Sequence, residues 1–135
     1  MLKDKAAQNF KEGYSCSESV VKAGIDEGLL PEEFLSCATS FSGGMGDRCL
    51  CGAIAGSQII IGYLHGKGKT ERARALAKEF IEEFKKTHKA TCCRVLSAGF
   101  DFHSPERKAH CVNMVYDCAK ILENILERES QTEKV

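Results

Sequence analysis

Eight cysteines in 135 residues, about 6% of the chain, carry most of the chemistry this sequence can do. They stand at Cys16, Cys37, Cys49, Cys51, Cys92, Cys93, Cys111 and Cys118. The thiolate is both the nucleophile and the metal ligand, and a helix start favours it through unpaired amides and aligned peptide dipoles. Cys16 and Cys51 are expected in first helical turns, Cys93 in a capped turn, and Cys111 two turns into the last helix. Cysteine also fills cores as a small hydrophobe, and that reading is preferred for Cys37 and Cys118. Cys118 follows Cys111 by seven residues, so both face one way along a helix and Cys118 stays a secondary candidate.

The local pairs, Cys49-x-Cys51 and the vicinal Cys92-Cys93, lack the spacing of zinc knuckles, of a Cys-x-x-Cys redox motif and of a haem attachment site. Four thiolates drawn from separate helices still suffice for zinc or an iron–sulfur cluster whatever their spacing. Near the cysteines, Asp47 and Arg48 are candidates to tune a thiolate, with a loop salt bridge or solvation as the plainer reading, and Arg94 reads equally as a tuning charge or a surface arginine. His110, beside Cys111, is the histidine worth following. The glycines at 43, 44, 46 and 52 fit neither a P-loop nor a dinucleotide fingerprint, which argues against nucleotide binding.

The elements that position these thiols read as helices throughout, with no period-two alternation of β-branched residues. The expected fold is all-α: a compact single-domain bundle of about five to seven helices around a buried central helix that starts at Cys51. A first helix spans about Asp4 to Glu12, and Ser15-Cys16-Ser17-Glu18 forms a capping box that opens the second. A short third helix starts at Pro31 and ends near Ser40. The glycine-rich loop Ser42 to Gly52 precedes the central helix, where Gly52 and Gly56 lie one turn apart and permit close helix crossing. Thr70 to His88 is amphipathic, with Ala73, Leu76, Ala77, Phe80, Ile81 and Phe84 on one face. Thr91 is expected to cap a short turn holding Cys92 and Cys93. The last helix starts at Ser104-Pro105 and buries Val112, Val115, Ala119, Leu122 and Leu126, with a frayed tail over about 129–135.

Lysine plus arginine equals aspartate plus glutamate at 19 each, so no excess positive charge exists for nucleic acid or anionic lipid. With 43% hydrophobic residues the chain should fold around a real core as one domain over 1–135. No segment reads as a secretory signal or a membrane span, so the expected location is cytoplasmic, without membrane insertion. In that reducing compartment, clustered cysteines signify redox or metal chemistry rather than structural disulfides.

Gly13-Tyr14-Ser15-Cys16, then Gly43-Gly44-Met45-Gly46, then Cys51-Gly52-Ala53-Ile54-Ala55-Gly56, then Cys93-Arg94 and Cys111 form an ordered set. Together they resemble the redox-active family labelled C-GCAxxG-C-C, over about Ala6 to Leu126. The resemblance implies that Cys16, Cys51, Cys93 and Cys111 are the family's four cysteines, with Cys93 chosen over Cys92 because a basic residue follows it. Ser15 stands where the family commonly has asparagine. A similar domain in split-Soret cytochromes associates such cysteines with an iron–sulfur centre, although haem motifs are absent from this sequence. Three functions are therefore weighed. The first is thiol–disulfide or electron-transfer chemistry, as a thiol-dependent oxidoreductase acting on a redox partner protein or small thiol. The second is an iron–sulfur or zinc module with the same four ligands, Cys49, Cys92 and Cys118 being secondary. The third is a helical interaction domain associated with a transporter. A homodimer is an expectation should apolar helix faces stay uncovered.

Overall fold

The computed structural model describes residues 1–101 and 103–133 and is an all-α fold of seven helices. These are α1 (Leu2–Lys11), α2 (Cys16–Asp26), α3 (Phe34–Thr39), α4 (Gly52–His65), α5 (Thr70–His88), α6 (Cys93–Leu96) and α7 (Pro105–Glu133). The centre is formed by α2, α4 and α7; α1 lies against α2 and α7, and α5 against α4 and α7. Among the described residues no helix is long and apolar enough to cross a membrane.

The capping box is present at α2: Glu18 N–H donates to the Ser15 hydroxyl, and Ser15 N–H donates to the Glu18 carboxylate. Helix α4 is buried from Gly52 through Ser57 and again at Ile60 and Ile61, because α2, α5 and α7 each cover part of it. Its burial breaks near the C-terminus, where Tyr63 and Leu64 reach the surface and Tyr63 meets Phe34 edge-on, ring centroids 5.0 Å apart. Helix α5 has the bounds the periodicity predicts and buries Leu76, Phe80 and Phe84. Gln58 ties it to α4 by donating from Nε2 to the Ala77 carbonyl at 3.0 Å.

Several boundaries differ from expectation, each for a local reason. Pro31 begins a tight turn rather than the helix itself: Phe34 N–H donates to the Pro31 carbonyl, and α3 starts at Phe34. Thr91 does not cap α6. Instead its carbonyl accepts from Cys51 N–H at 2.8 Å, Cys93 N–H donates to the Cys49 carbonyl, and Leu50 pairs with Cys92 in one antiparallel bridge. Two backbone strips thus clamp α6 to the start of α4, a pairing too short to leave any periodicity in the sequence. On α7 the buried stripe is Met114, Val115, Cys118, Ala119, Leu122 and Ile125, while the expected Val112 and Leu126 are only half-buried at its edge. The helix continues through Glu133, four residues past the expected fraying point. Glu129 is buried there and accepts two hydrogen bonds from the Arg72 guanidinium, one of them at 2.8 Å, while Arg128 joins it to Glu79. Residues 134 and 135 lie outside the described residues.

Candidate functional site

The first turns of α2 and α4, the α6 turn and the second turn of α7 meet at one place. They bring Cys16, Cys51, Cys93 and Cys111 onto the wall of a single small cavity of about 20 Å³, room for roughly one water. Leu96, Arg107, His110 and Met114 complete most of that wall. All eight cysteines are unbridged.

The glycine motif exists to let sulfur in. A Cβ at Gly52 would lie 2.3 Å from Cys16 Sγ and 2.8 Å from the Phe41 carbonyl oxygen. At Gly44 it would lie 2.9 Å from Cys93 Cβ and 2.7 Å from the Cys49 amide nitrogen. All of these distances are inside ordinary contact, so only glycine permits these approaches. The loop before α4 makes the same demand of the backbone. Gly43, Gly44, Met45 and Gly46 all have positive φ, between 61° and 69°, and Arg48 follows at 57°. Met45 and Arg48 each carry about 1–2 kcal/mol of strain as non-glycines in that region. The loop coils left-handed and closes with Cys49 N–H donating to the Gly44 carbonyl at 2.9 Å.

The electrostatics separate cysteines that the sequence treats alike. Cys51, at the N-terminal cap of α4, is brought down to about 7, first by a hydrogen bond from the Cys118 thiol. Burial opposes this, while the Ala53 and Ile54 amides at the open helix end and the Arg107 charge add to it. Cys16 also sits in a first helical turn, but burial and the neighbouring Cys51 push it up to about 11 despite the Gly43 and Ser17 amides. Cys111 is raised by burial, with Arg107 opposing. Cys118 is raised well above the ordinary thiol range by complete burial and by donating to Cys51.

Arg107 is the site residue that sequence reasoning missed. Its guanidinium donates to Cys93 Sγ at 3.6 Å, and its charge acts on both Cys51 and Cys111. The available signal was its spacing, four residues before Cys111 and therefore on the same helix face. Arg94, the arginine considered for this part, is exposed and donates instead to the Asp47 carbonyl at 3.3 Å. Arg48 turns to the Ser97 hydroxyl at 3.3 Å. His110 does line the cavity, with Nε2 2.8 Å from the Leu96 carbonyl and its ring stacked on Phe100.

The remaining thiols fall outside the cavity wall. Cys118 is in the core, as expected of a packing residue, and its thiol also lowers Cys51. Cys37 is exposed on α3 and packs nothing, because its short helix turns that face to solvent. Cys49 is exposed with Sγ 3.7 Å from the Asp47 carboxylate, and the Cys92 thiol donates to the Arg48 carbonyl at 3.4 Å. Among the described residues no group of three or more cysteine, histidine, aspartate or glutamate side chains is arranged to hold a metal ion. The four cysteines thus share one cavity wall.

The family described as "Putative redox-active protein (C_GCAxxG_C_C)" matches residues 14–125, and the chain belongs to that family. The match takes in all the cysteines, the glycine loop and Arg107. The chain matches no curated protein and no solved structure.

Proposed function

We propose that the protein is a dithiol electron carrier that reduces a disulfide, with Cys51 as the attacking thiolate and Cys118 as the resolving thiol. The observation that carries this reading is the convergence of Cys16, Cys51, Cys93 and Cys111 on one cavity beside the Arg107 guanidinium, with Cys51 at the open start of α4. The fully buried Cys118 thiol, in the same core as Cys51, is the largest influence bringing Cys51 down.

The Cys51 thiolate attacks one sulfur of the disulfide, a new sulfur–sulfur bond forms, and one substrate thiolate leaves and takes up a proton. At that moment Cys51 loses its charge. The Cys51 charge is one of the influences that hold the Cys118 proton on, so its disappearance makes Cys118 easier to deprotonate. Cys118 then attacks Cys51 Sγ and releases the second substrate thiol. Two electrons have passed from the protein, now carrying a Cys51–Cys118 disulfide, to the substrate. Arg107 supports the anionic sulfurs along this path.

The test is to oxidise the reduced chain with one equivalent of a small disulfide and map the resulting crosslink by peptide mass. A new disulfide that includes Cys51, absent from Cys51→Ser, is expected. Crosslinks confined to Cys37, Cys49 and Cys92 would overturn the assignment. So would iron, zinc or acid-labile sulfide bound to anaerobically purified protein and lost in Cys51→Ser.

A further inference from the structure

An open cleft of about 700 Å³ lies directly in front of the small cysteine cavity and shares Cys16, Arg107 and Cys111 with it. That volume is in the range of small-molecule sites. Its charge is one-sided. Arg107 and Lys108 line it, and none of the described lining residues is a carboxylate. The whole chain has a formal charge of zero, so this is a local concentration of positive charge rather than a reflection of overall composition. The N-termini of α2 and α7, at Ser15-Cys16 and Ser104-Pro105, open onto the same space and add the positive ends of two helix dipoles. Tyr14 supplies an aromatic wall.

We propose that this cleft binds a small disulfide carrying carboxylate groups, held by Arg107 and Lys108 so that one of its sulfurs enters the cysteine cavity. This rests on the dithiol reading above and names its substrate class. The carboxylates stay in the open cleft, where the cations and helix ends meet them. Only the sulfur passes the boundary formed by Cys16, Arg107 and Cys111, which suits an inner cavity with room for about one water. The exchange is the one already written: the substrate disulfide accepts two electrons and leaves as two thiols, and the protein is left with one disulfide.

The test uses the full chain with Cys37→Ser and Cys49→Ser, because those two exposed thiols would react without using the cleft. Reduced protein is mixed with 5,5′-dithiobis(2-nitrobenzoate), neutral 4,4′-dithiodipyridine or cationic cystamine. Each rate is divided by that of a free small thiol under the same conditions, which removes intrinsic reactivity. The expected result is a preference of about tenfold or more for the dicarboxylate over the dication at low salt, falling as salt is raised. Lys108→Glu should cut the dicarboxylate rate at least about threefold while the neutral reagent stays within about twofold. Equal normalised rates for all three reagents, or a preference untouched by Lys108→Glu, would overturn the substrate class and leave the dithiol reading standing. Rates with every reagent that do not exceed those of Cys51→Ser would overturn the dithiol reading itself.

Discussion

Gly56 and Gly62 occupy the same helix and differ in what a methyl group would meet. At Gly62 a Cβ would find nothing within 4 Å; at Gly56 it would lie 2.7 Å from the Ser17 carbonyl oxygen and 3.3 Å from Ser17 Cα. The obstacle is backbone of α2, which cannot swing aside as a long side chain would. Replacing an interior helical glycine with alanine gains about 0.5–1 kcal/mol when the site is open. Gly62→Ala should therefore raise stability by that amount. Gly56→Ala starts with the same gain but must push α2 and α4 apart, an overpacking cost of about 1–3 kcal/mol in a close-packed core. The two variants should differ by about 1–3 kcal/mol, with Gly56→Ala the less stable, or by several degrees in melting temperature for a chain of this size. Urea unfolding followed by circular dichroism reads the difference, and the slope of the transition should be the same for both. Equal stability of the two variants, or a more stable Gly56→Ala, would refute the claim that this glycine sets the α2–α4 distance and so the approach of Cys16 to Cys51.

Three other measurements address the site and its frame. Cys51 is lowered from 9.0 to about 7, so the folded state releases this proton before the unfolded one, and stability of the reduced protein should rise between pH 7 and 9. The rise should approach about 1.4 kcal/mol per unit and vanish in Cys51→Ser. Above pH 9 the sign reverses, because Cys16, raised to about 11, together with Cys111 and Cys118, makes the folded state hold protons longer; pH-dependent urea unfolding checks both limbs. Glu129→Ala should cost about 2 kcal/mol, since it leaves Arg72 and Arg128 without their buried partner, whereas exposed Glu127→Ala should change thermal stability by under about 0.5 kcal/mol. Cys37→Ser should be silent in the same assay and Cys118→Ser should cost about 1–2 kcal/mol, whereas two packing cysteines would both cost stability.

The sequence by itself determined what depends on neighbours along the chain. The capping box at Ser15 and Glu18, the bounds of α5, the central helix beginning at Cys51 and the close-crossing glycines are all local patterns, and the structure has them. The ordered motifs likewise carried the family, and with it the four cysteines that line one cavity. What tertiary structure decided is which of these sulfurs is charged. Cys16 and Cys51 both begin helices, and helix dipoles alone would favour both thiolates. Burial lifts one to about 11, and a thiol from α7, 67 positions away by number (118 − 51), brings the other down to about 7. Arg107 is another case: its place in the sequence beside a glutamate and a lysine reads as a solvated helix start, until α6 sets Cys93 against it. Thr91 has the residue type of a local cap, but its carbonyl accepts from Cys51, in another part of the chain. Solvation, charge and backbone pairing across helices depend on distances in space, and a one-dimensional pattern carries those only when the partners are a turn apart.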